Sequence, residues 1–85
     1  MGDVTISNDV SEIVIDGVVM GDIFIKSNVE GDIIVRGTVM GDIIINKIIH
    51  GEIRIIGVMM GDVIINGSVY GEIHITGEMM GDIIR

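Results

Sequence analysis

A ten-residue motif, Gly-Asp/Glu-Ile-x-Ile-x-Gly-x-Val-x, opens at Gly21, Gly31, Gly41, Gly51, Gly61, Gly71 and Gly81, and two degenerate copies open at Gly2 and Ser11. A short repeat of this regularity constrains the fold more than any other property of the chain, because each unit must bury its apolar face against its neighbours. The third position of every copy is Ile or Val: Val4, Ile13, Ile23, Ile33, Ile43, Ile53, Val63, Ile73 and Ile83. Within a copy the apolar residues alternate with others. In Val29-Glu30-Gly31-Asp32-Ile33-Ile34-Val35, for example, Val29, Gly31, Ile33 and Val35 share one face. That is the period of a strand. The apolar content is Ile, Val and Met, with no Leu, Ala or Gln, so β-branched residues abound where good helix formers are missing.

The full period is twenty residues. Met20, Met40, Met60 and Met80 precede the motif glycine in one series of copies, and Glu30, His50 and Tyr70 precede it in the interleaved series. The acidic position splits the same way, into Asp22, Asp42, Asp62 and Asp82 against Glu12, Asp32, Glu52 and Glu72. Two kinds of half-turn therefore alternate. Bends are expected at Asp16-Gly17-Val18, Lys26-Ser27-Asn28, Arg36-Gly37-Thr38, Asn66-Gly67-Ser68 and Thr76-Gly77-Glu78, where Gly and Asn supply positive φ. Lys47 falls at the middle of another such triplet and suits a bend better than a core.

An antiparallel meander with tight Gly-Asp hairpins is the rival architecture. It fails because the Ile/Val set would switch faces at every hairpin. In a parallel β-solenoid (β-helix) like residues stack on like, about 4.8 Å apart. The expected fold is thus one all-β solenoid domain over 1–85, slightly more than four turns and about 20 Å tall, each turn made of two ten-residue half-turns. Each turn should bury around six Ile or Val side chains. A glycine in mid-strand costs about 0.5–1 kcal/mol against Ala, so the motif glycine implies a shortage of space, through collision with the facing strand or a bend in the coil. Gly2 and Ser11 are nine apart, which places one missing residue within Ser7-Asn8-Asp9-Val10.

The exterior faces carry the most function-like signal. Met20, Phe24, Met40, Ile44, Met60, Ile64, Met80 and Ile84 form a largely apolar face outside an already filled core, the signature of a lateral homomeric interface. The bland alternative is strand propensity at positions flanking bends. Gly81-Asp82-Ile83-Ile84-Arg85 stops in mid-repeat, and open sheet edges favour end-to-end stacking. The opposite face carries Glu30, Asp32, Ile34, His50, Glu52, Arg54, Tyr70, Glu72 and His74.

A net charge of −8 disfavours nucleic acid and anionic lipid as partners, and no run is apolar enough for membrane insertion. Met1 leads directly into the repeat, so the chain reads as cytoplasmic. The Asp22, Asp42, Asp62 and Asp82 row reads as a solvated acidic row rather than a calcium site, which needs several converging oxygens. His50 and His74 occupy different columns and lack a third convergent ligand, so neither metal nor cofactor is expected. A flat exterior without a pocket is not expected to catalyse a reaction.

The recurring Val-x-Gly-Asp/Glu-Ile, as in Val29-Glu30-Gly31-Asp32-Ile33 and Val69-Tyr70-Gly71-Glu72-Ile73, resembles bactofilins, bacterial cytoskeletal polymers with a right-handed β-helical core. The resemblance implies nucleotide-independent, end-to-end polymerisation, with the chain itself as partner. The Gly-Asp-Ile-x-Ile units also look like those of bacterial adhesin domains, and trimeric phage spikes use Val-x-Gly repeats. An adhesive or spike-type binding module with a glycan or receptor partner therefore stands as the alternative function, and a designed repeat scaffold as a third.

Overall fold

In the computed structural model, which describes residues 3–85, every strand pairing is parallel and joins a residue to its counterpart one turn on. Gly2, expected to open the first degenerate copy, lies outside the described residues. Ile23 pairs with Ile43, Ile43 with Val63 and Val63 with Ile83, the registers of a twenty-residue turn. The chain is a parallel β-solenoid.

Each half-turn bends twice, so a turn has four sides and the strands form four separate sheets. One side stacks β1 (Val4–Ile6), β4 (Ile23–Ile25), β7 (Ile43–Ile45), β11 (Val63–Ile65) and β15 (Ile83–Ile84). Half a turn away lie β2 (Ile13–Ile15), β5 (Ile33–Val35), β9 (Ile53–Ile55) and β13 (Ile73–Ile75). Between them, β3 (Val18–Val19), β6 (Thr38–Val39), β10 (Val58–Met59) and β14 (Glu78–Met79) form one narrow side. β8 (Ile48–Ile49) and β12 (Ser68–Val69) form the other, which single bridges extend through Val29 to Val10.

The motif glycine consequently sits at a bend and not in the middle of a strand. A side chain on Gly61 would overlap the Gly41 carbonyl of the preceding turn and the Asp42 carboxylate. Of the two expected reasons, the bend in the coil holds and collision with the facing strand does not: the crowding is along the stack, against the preceding turn. Positive φ is not the reason for the bend glycines in general: among the described residues only Gly17, at φ 114°, adopts it. The corners turn within ordinary φ space, and close stacking of successive turns excludes side chains.

The core is filled by alternate residues around the coil. Ile43, Ile45, Ile49, Ile53, Ile55 and Met59 are all inaccessible or nearly so, six side chains in one turn. Each contributes about 1.5–3 kcal/mol by leaving water. Met59 belongs to this interior set whereas its neighbour Met60 points outward, a difference of parity alone. Ser27 is the buried polar residue, and its Oγ donates to the Asn8 carbonyl at 2.6 Å. Lys47, at the equivalent position one turn on, is exposed at its bend.

The irregularity in the first turn falls elsewhere than expected. Val10 still bridges Val29, nineteen residues on, but Ile13 pairs with Ile33. The missing residue therefore lies between Val10 and Ile13, at a corner where Ser11-Glu12 stands against Glu30-Gly31-Asp32, and not within Ser7–Val10. A shortened corner leaves the strand ladders on both sides intact, whereas a deletion inside Ser7–Val10 would put Val10 out of register with Val29. The extents are 24 × 24 × 20 Å, so the stack is about as wide as it is tall. No helix among the described residues is long and apolar enough to cross a membrane.

Candidate functional site

Two corners of the coil carry a Gly-acid pair, and they use their carboxylates differently. At the corner before β4, β7, β11 and β15, each aspartate accepts the backbone N–H of the aspartate one turn on. Asp3 accepts from Asp22 at 2.9 Å, Asp22 from Asp42 at 2.8 Å, Asp42 from Asp62 at 2.8 Å and Asp62 from Asp82 at 2.9 Å. The row expected to be merely solvated is thus a hydrogen-bonded ladder running along the stack. A corner has no strand partner for its amide, and the aspartate side chain is the right length to supply one. Asn28 does the same at another bend, accepting from Ile48 N–H at 3.2 Å.

At the opposite corner the ladder starts, with Asp32 accepting the Glu52 N–H at 2.8 Å. Its next members are glutamates, and the added methylene carries their carboxylates outward. Glu52 Oε1 accepts from Arg54 Nε at 3.0 Å and forms an ion pair with the same guanidinium, 2.9 Å from Nη2. Its other oxygen, Oε2, faces His74 Nε2 at 3.7 Å, and Glu72 Oε1 lies 3.0 Å from the same nitrogen. β9 and β13 set this geometry by pairing Arg54 with His74 in register, both outward. Glu52, Glu72 and His74 each bring a ligand atom within 4.8 Å of the others.

His74 does have convergent partners, two carboxylates from successive turns, while His50 stands apart and packs its ring against Tyr70 with centroids 5.3 Å apart. The signal was present in the sequence: Glu52 and Glu72 stand in the acidic column on the turn before His74 and on the turn that carries it. The partners of His74 lie in the acidic column, not at the other histidine. The exterior is also not flat here. Arg54, Ile56, His74 and Thr76 line a shallow groove of about 280 Å³ beside the cluster.

The expected interface residues all project outward, in two columns on adjacent sides. Phe24, Ile44, Ile64 and Ile84 stack in register on the outer surface of β4, β7, β11 and β15. Met20, Met40, Met60 and Met80 stack across the bend, 44–66% exposed, with the aspartate ladder between the columns. Exposed apolar residues also occur elsewhere, at Val14, Val18, Ile56 and Tyr70, so the contrast between faces is one of continuity: among the described residues only the Met and Ile columns run through the stack.

No family model matches the sequence, and no curated protein or solved structure matches it significantly.

Proposed function

We propose that this chain is a structural element that assembles with copies of itself, side by side through the Met and Ile columns and end to end through its sheet edges. The observation that carries the reading is the Met column, which stays exposed outside a core already filled by Ile, Val and Met59. A continuous apolar stripe of this kind on a small protein marks a contact surface, and Met adapts to a partner's shape without strong directional demands. Stacking is supported by the parallel ladders, in which the edge of each turn is already paired in register with the edge of the next. Such edges add strands readily. A bactofilin-like cytoplasmic polymer is the form of assembly that the Val-x-Gly-Asp/Glu-Ile units favour.

Sedimentation velocity at two concentrations, combined with negative-stain electron microscopy, tests the proposal. Wild-type chain should sediment as concentration-dependent assemblies, and the M40K/M60K double variant should shift toward monomer with an unchanged circular dichroism spectrum. A monodisperse wild-type monomer at high concentration would overturn the proposal. A discrete trimer that does not lengthen would favour the adhesive-module reading.

A further inference from the structure

The geometry points to a divalent transition-metal site, best suited to Zn²⁺, formed by Glu52, Glu72 and His74 on the outer surface of two successive turns. The donor set is mixed, one imidazole nitrogen and two carboxylate oxygens. Zinc takes such ligands at about 2.0–2.2 Å, which in tetrahedral geometry separates neighbouring donors by about 3.3 Å. Nε2 of His74 lies 3.0 Å from Glu72 Oε1 and 3.7 Å from Glu52 Oε2, on either side of that spacing. Calcium and magnesium are poorer candidates because they require six or more oxygen ligands or near-octahedral hydration. Water would complete the coordination.

Three features separate this cluster from an ordinary surface ion pair. The carboxylates at the same repeat position elsewhere, Asp22, Asp32, Asp42 and Asp62, each have an oxygen committed to the amide one turn on, whereas Glu52 gives its oxygens to Arg54 and His74 instead. Arg54 holds Oε1 of Glu52 through two nitrogens and so turns Oε2 toward the imidazole. It acts as a positioning residue of the kind that orients metal-ligating carboxylates. The backbones that carry the three ligands are register-locked, with Glu52 and Glu72 stacked one turn apart beside β9 and β13, so the ligand atoms lie close together without a change of fold. A bound ion would clip one turn to the next.

The test uses the untagged, chelator-stripped chain titrated with zinc chloride at mildly alkaline pH by isothermal calorimetry. Saturation at one Zn²⁺ per chain in the micromolar range is expected, with H74A and E72Q each weakening binding by at least roughly tenfold and H50A leaving it unchanged. Since the chain has two histidines, proton NMR gives an independent readout: zinc should shift the ring resonances of His74 and leave those of His50 in place. H74A is substituted on the outer face and circular dichroism should show it folded; E72Q repeats the test without touching the histidine. Equal affinity in wild type, H74A and E72Q, or no saturable binding below the millimolar range, would overturn the site and leave a His–carboxylate ion pair.

Discussion

The two Gly-acid corners share a backbone path, a repeat position and a crowded glycine, and they differ by one methylene group. Where the acid is aspartate, its carboxylate closes on the amide of the next turn and becomes part of the scaffold. Where it is Glu52, the carboxylate passes the Glu72 amide by and meets Arg54 and His74 on the outer surface. A repeat protein can in this way convert a structural position into a binding position with no change to the fold. The aspartate corner offers mainly stability and the glutamate corner mainly chemistry.

The most severe way to probe the comparison is to fill the glycine that both corners share. G61A at the aspartate corner and G51A at the other should each cost about 3 kcal/mol or more, because the new methyl meets a backbone carbonyl that cannot move without breaking the stack. For a chain of this length total stability is about 4–13 kcal/mol, so urea denaturation should show partial or complete unfolding for both. Tolerance at one corner alone would mean that the backbones are not alike.

The next test separates the corners. D42A removes the acceptor for the Asp62 amide and should destabilise by about 1–2 kcal/mol, whereas E52A should change the unfolding free energy read from urea denaturation by less than about 0.5 kcal/mol. Equal losses would mean that the glutamate corner is as structural as the other. E52D should extend the ladder to the Glu72 amide and gain about 0.5–1 kcal/mol, while its shorter side chain withdraws from His74 and abolishes zinc binding in calorimetry. The smallest effect is expected from R54A. Its ion pair is half exposed and should contribute within about 0.5 kcal/mol, read in the same denaturation series.

The fold was legible in the sequence because a β-solenoid writes its period directly. Residues twenty apart share an environment, and inward positions recur at every second residue. The corners were less legible. Two bends per half-turn cannot be told from one by alternation, since a sharp corner keeps the parity of inward and outward residues, and Val29, Gly31, Ile33 and Val35 face inward whether or not the chain turns at Gly31. The missing residue in the first turn escaped for a related reason: alternation reveals that parity slips, from Ile6 and Val10 to Ile13 and Ile15, but only pairing locates the slip at Ser11-Glu12. The outward Met and Ile columns were foreseeable from parity, and their separation by a bend and an aspartate ladder was not.

What the sequence alone determined is therefore the architecture and most of the lining of the core: parallel stacking, the twenty-residue turn, and the Ile and Val side chains that leave water. These follow from periodicity, which is local and repeated. What only the tertiary structure decided is the use of each polar side chain. Asp42 bonds to Asp62 and Glu52 meets His74 across a whole turn of chain, and the outcome rests on a reach of about one C–C bond, a quantity fixed by the spacing between turns.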